Sequence, residues 1–239
     1  MTKRYLKEHD LLAIPFDKGI GICLMKSTTY NDKLKNIFTL PQFEKYQPPR
    51  RNAKNPILKE EEKICKALEQ MRMNEKIPET LFKKLKPIGS QPPRLYGLAK
   101  IHKENVPLRP VLSMSGSAYY KIARQVADWS SVVPECNINS STKEVADKFS
   151  DISLPDNTEM ISFDGVSLYT NVHVDEAIQV CSNLLYDGNY KKPPFDKSTF
   201  IELLIIYSKN VIMLTSDGYY RQIDGLAMES PPIPCIFSS

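Results

Sequence analysis

An aspartate at the end of a short apolar run is the first place where this sequence suggests chemistry. Asp164 follows the apolar residues of 160–163 and precedes Gly165. A carboxylate presented at a strand end suits Mg²⁺, which prefers hard oxygen ligands. Asp-Gly is equally a favoured hairpin turn, and the chain has four such pairs, at Asp164, Asp187, Asp217 and Asp224. Taken alone, each pair reads better as a turn. A second group is basic: Arg94, Lys100, His102, Lys103 and Arg109 fall within residues 93–113. Arginine grips phosphate by its planar fork and lysine acts as a point charge. A solvated basic hairpin accounts for the same residues equally well. A third stretch, GLAMESPPIP at 225–234, reads as a loop before a helix and demands no chemistry by itself.

Several chemistries lack support. There is no glycine-rich phosphate loop, no H-E-x-x-H and no G-x-S-x-G. The five cysteines (Cys23, Cys65, Cys136, Cys181, Cys235) are scattered without a C-x-x-C pair, and the three histidines share no helical register. Neither a zinc module nor a disulfide framework is expected.

The elements that must position these groups can be read from pattern. Residues 11–25 read as two strands around Asp17, Lys18 and Gly19, with Ser27 capping a short helix to about Ile37. Residues 41–54, rich in Pro, Arg and Asn, read as a linker or extended arm. Asn55 and Pro56 open the clearest helix, with Ile57, Ile64, Leu68 and Met71 as its core stripe. Residues 94–102 and 108–113 read as two strands, with Lys100 and His102 on one face by alternation. Helices follow over 117–129 and 141–149, then a strand over 160–163 and a helix over 174–186. The pattern leaves 200–207 open between helix and strand. A strand pair surrounds Asp217 and Gly218.

A length of 239 residues allows one large domain or two small ones, and 41% hydrophobic against 25% charged residues is an ordinary globular balance. No apolar stretch approaches the roughly 20 residues a membrane helix needs, and the charged start MTKRYLKEHD leads into no signal-like apolar run. An intracellular protein, cytoplasmic or nuclear, is expected. The net charge of +4 conceals a split. Residues 1–109 carry 23 Lys+Arg against 12 Asp+Glu, or +11, and residues 110–239 carry 9 against 16, or −7. A basic first half is what a polyanion-binding surface looks like, although a chance imbalance on solvated faces gives the same count.

Taken in order, five segments resemble the reverse transcriptases of Penelope-like retroelements. They are DKG at 17–19, PRLYGLAKIHK at 93–103, PLRPVLS at 107–113, SFDGVSLYTNV at 162–172 and QIDGLAMESP at 222–231. The resemblance spans essentially the whole chain. It implies an α+β fold of the right-hand polymerase kind: a basic N-terminal region with helices (1–87), a fingers-like segment (88–155) and a partial palm (156–239). By the same resemblance Lys100 and Arg109 hold the incoming triphosphate, and Asp164 is the first catalytic aspartate and Mg²⁺ ligand. Tyr169 packs against the sugar, and Gly225, Ser230 and Pro231 line the template and nucleotide site. The implied activity is RNA-directed DNA synthesis with Mg²⁺ (or Mn²⁺), an RNA template, a DNA primer and deoxynucleotides.

The chain departs from the family pattern at three places. Glu229 and Ile233 stand where the pattern has a glycine and a serine, and Ala99 replaces a proline. A long anionic side chain where backbone approaches a ligand is unfavourable and would repel phosphates. No Asp-Asp occurs anywhere, so the family's Tyr-x-Asp-Asp motif is missing, and with it the thumb that follows. The expectation is a truncated polymerase inactive by itself. The alternative is a non-catalytic nucleic-acid-binding remnant of the same element.

Overall fold

The computed structural model describes residues 3–47, 55–132, 172–209, 211–215 and 217–225, with a few isolated positions between 143 and 161. Among these the fold is mixed α+β, with seven helices and two sheets. The elements are α1 (Lys3–Glu8), β1 (Leu11–Pro15), β2 (Ile22–Lys26), α2 (Ser27–Ile37), β3 (Phe43–Tyr46), α3 (Pro56–Met73) and α4 (Glu79–Leu85). They continue with β4 (Arg94–Ala99), β5 (Leu108–Ser113), α5 (Tyr120–Ser130), α6 (Val174–Asp187), α7 (Lys197–Ser208), β6 (Val211–Thr215) and β7 (Gly218–Gln222).

Local sequence explains most of these boundaries. The Asn55 side chain accepts the Ile57 N–H at 3.0 Å and Pro56 occupies the first turn, so α3 starts where its sequence says. Its apolar stripe, Ile57, Ile64, Leu68 and Met71, is buried. At α7 the Asp196 carboxylate accepts the Thr199 N–H at 2.8 Å, which settles the undecided 200–207 stretch as helix. Two expectations differ. Ser27 is the first residue of α2 and not its cap, because its hydroxyl donates to the Asp10 carbonyl at 3.3 Å. Part of the expected arm at 41–54 is β3, paired antiparallel to β7. Its alternation is too short to stand out from the prolines around it.

The five-stranded sheet has the order β3-β7-β6-β4-β5 and draws strands from residues 1–87, 88–155 and 156–239 alike. One core joins them: Phe43, Leu112, Val211, Met213 and Tyr220 of the sheet pack with Leu68, Leu85, Ile122, Leu185 and Phe200 of the helices. Parallel β4 and β6 meet at a single registered pair, Arg94 with Leu214, so most of β4 extends beyond β6. There the Tyr30 hydroxyl accepts the Gly97 N–H at 2.9 Å, and Phe16 bridges Ala99. Both occupy edge positions that a longer neighbouring strand would otherwise fill. Cys23 and Cys65 are free thiols, whereas Cys181 is disulfide-bonded. No helix among the described residues is long and apolar enough to cross a membrane.

Candidate nucleic-acid interface

The candidate surface is assembled where the turn between β1 and β2 docks on the end of β4. After β1 the chain passes through Phe16, and the Asp17 N–H donates to the Ala99 carbonyl at 3.0 Å. This directs the Asp17 side chain inward, where it is 1% exposed. Arg109, opposite Leu98 in the β4–β5 ladder, places Nη1 2.9 Å from Asp17 Oδ1. Neither Asp17 oxygen accepts a well-aligned hydrogen bond among the described residues, so the arginine charge is what compensates this carboxylate. The return strand needs Gly21, since a Cβ there would lie 2.1 Å from the Phe16 ring. At Ala99 it is the backbone carbonyl that Asp17 uses.

Lys100 is half-buried and its N–H donates to the Pro107 carbonyl at 3.0 Å. β4 ends at Ala99, so Lys100 and His102 lie in the turn and not on one face of a strand as alternation predicts. The turn closes through Lys103 N–H to the Lys100 carbonyl and Val106 N–H to the Lys103 carbonyl. Asn105 and Val106 have φ of 58° and 41°, a region that disfavours a β-branched residue in particular. The Lys33 ammonium donates to the Asn105 carbonyl at 2.6 Å and holds this turn to α2. His102 and Lys103 are exposed at its tip, and Lys18 is exposed at the tip of the docked hairpin. The result is a mostly basic surface, with Glu104 as an exposed carboxylate in the turn and one internally compensated cation, Arg109, whose side chain is still 36% exposed.

Gly225 is buried with φ of +76°, a conformation that suits glycine. Beside it, Asp224 Oδ1 accepts from the Gly225 N–H at 2.9 Å and the Val174 N–H at 3.4 Å, while Oδ2 lies 3.9 Å from His173 Nδ1. The segment at 222–225 is thereby tied to the residues just after 162–172. The sheet register separates this place from the basic surface. Arg109 faces Leu98, four residues beyond Arg94, and Gln222 faces Val211, three residues before Leu214. Those seven strand steps put Gly225 and Arg109 toward opposite ends of the sheet, roughly 20 Å or more apart along the strands.

Asp164, Tyr169, Ser230 and Pro231 lie outside the described residues, as do Glu229 and most of the helix expected over 141–149. Among the described residues no three His, Cys, Asp or Glu side chains gather as a metal site. Asp17 is engaged by Arg109, and Asp224 by the start of α6. The pairing of Asp17 with Arg109 and the bracing by Tyr30 and Lys33 escape sequence reading, because each joins residues far apart in the chain. The one available signal was the DKG match, which carried no assigned role. In comparisons with known proteins, no family model matches the chain, and neither a curated protein nor a solved structure is similar to it.

Proposed function

We propose that the chain carries the fingers and the first part of the palm of a Penelope-like reverse transcriptase, a module for RNA-directed DNA synthesis. The observation that supports this best is spatial. DKG, PRLYGLAKIHK and PLRPVLS are separate matches in sequence, and they meet through Asp17, Ala99 and Arg109 in one basic unit. In this reading Lys100 and Arg109 receive the phosphates of the incoming nucleotide. Asp164 offers the first carboxylate to Mg²⁺, Tyr169 meets the sugar, and Ser230 and Pro231 line the template and nucleotide wall, while Gly225, toward the other end of the sheet from Arg109, serves the template side of that wall and not the phosphates. Mg²⁺, when bound, supplies charge neutralisation at the 3′-oxygen and at the leaving pyrophosphate. RNA template and DNA primer are the implied partners. The second reading, a non-catalytic nucleic-acid-binding remnant, draws on the +11 charge of residues 1–109.

Binding of a labelled oligonucleotide and of a deoxynucleoside triphosphate, measured across a salt series, tests both readings. Oligonucleotide affinity should fall steeply with salt, with a slope of about −0.7 for each phosphate neutralised on a single strand. Lys100→Ala combined with Arg109→Lys should weaken triphosphate binding while the fold is retained. The absence of any binding at low salt would sink both readings. Salt-sensitive oligonucleotide binding without triphosphate binding would favour the remnant.

A further inference from the structure

We infer that Asp17 is a positioning residue for phosphate recognition, aiming the Arg109 guanidinium outward from the basic surface. The inference rests on the proposed phosphate role of that surface. Three features assign Asp17 this task. Its carboxylate is 1% exposed and has no hydrogen-bonded partner among the described residues, yet Arg109 Nη1 stands 2.9 Å away. Its backbone is fixed by the Asp17 N–H to Ala99 carbonyl bond and by the Phe16 bridge, so the carboxylate is presented to Arg109 from a fixed point. Arg109 remains 36% exposed, and guanidinium carries five N–H donors in a rigid plane. One side of that plane is held by Asp17, which leaves donors on the other side for an oxyanion. An arginine fixed in this way forfeits little rotamer entropy when phosphate arrives.

Asp17→Asn gives a test whose sign decides the matter. Removing a negative charge beside the surface should, by long-range electrostatics alone, tighten polyanion binding. Loss of positioning should instead weaken it, by about tenfold if one charge-assisted hydrogen bond is lost. The 239-residue chain and its Asp17→Asn variant are titrated with inorganic tripolyphosphate and, separately, with a single-stranded oligonucleotide. Circular dichroism and thermal melting monitor the fold, and the Arg109 Nε–H resonance reports its order by NMR. Weakening in the tripolyphosphate arm places a nucleotide's phosphates at Arg109, and weakening in the oligonucleotide arm places the strand backbone there. Either supports the inference if the Arg109 resonance also loses its order in a folded variant. Unchanged or tighter binding in both arms overturns it and leaves the functional reading standing. If the variant does not fold, Asp17→Glu is titrated in its place, because it keeps the negative charge but displaces the carboxylate by one methylene. Unchanged binding by Asp17→Glu overturns the inference, and weaker binding with a less ordered Arg109 resonance supports it. A wild-type chain that binds neither probe overturns the functional reading and the inference together.

Discussion

Water is almost wholly excluded from the Asp17 side chain, and this sets what Arg109 can be replaced by. A carboxylate taken out of water costs several kcal/mol unless a cation compensates it, and removing one partner of a buried pair typically costs about 3–5 kcal/mol. Arg109 is partly exposed and water can enter behind it, so the lower end of that range applies. Arg109→Ala is therefore expected to destabilise the chain by about 3 kcal/mol. Lys100→Ala, at a half-buried lysine without an ion pair among the described residues, should stay within about 0.5 kcal/mol. Denaturant melts of the two variants check this, and equal losses would mean that Asp17 is not compensated by Arg109. Residue chemistry thus separates two cations that look interchangeable in the sequence.

At the scale of elements, the long α3 helix organises the loop that leads into β4. Glu61 on its exposed side accepts the Ser90 N–H at 2.6 Å and the Gly89 N–H at 3.3 Å, which pins residues 87–90 to the helix. Partial burial pushes the Glu61 carboxyl up, but the Ser90 side chain, the two N–H groups and the Lys121 charge outweigh it. The net position lies below the usual glutamate range. A carboxyl depressed in the folded state contributes stability that is fully present above its unfolded value, near pH 4.3. That contribution is lost as pH falls through the lower folded value. Wild type should therefore melt higher than Glu61→Gln at pH 7, and the gap should close on acidification below about pH 4. A gap independent of pH would show that Glu61 acts by shape and not by charge. The apolar α7 and the β6–β7 hairpin need no such clamp, since buried residues such as Phe200, Leu204 and Met213 hold them to the core.

For the whole molecule, nucleotide addition needs more carboxylate than one aspartate supplies. Two divalent ions about 3.5–4 Å apart must be aligned with the 3′-oxygen, and misplacement by about 1 Å can cost around 100-fold in rate. With no Asp-Asp in the sequence, the 239-residue chain is expected to show no primer extension with Mg²⁺ or Mn²⁺. Under the proposed polymerase reading, appending a Tyr-x-Asp-Asp segment and thumb from a Penelope-like element should restore some activity, and Glu229→Gly should raise it further. Extension by the unmodified chain that survives Asp164→Asn would overturn this account.

The sequence by itself determined the start of α3 at Asn55 and Pro56, the buried stripe of α3, the helix over 174–186, and the hairpins on either side of DKG and Asp217-Gly218. These depend on caps, turn residues and apolar period, which act over a few neighbouring positions. Tertiary structure alone decided that β4 stops at Ala99, that residues 43–46 close the sheet edge, that Asp17 lies against Arg109, and that Gly225 sits toward the far end of the sheet from them. Each of these depends on strand register or on a buried charge finding its partner across the chain. Such pairings are selected by the free energy of the assembled core and leave no local pattern in the residues that make them.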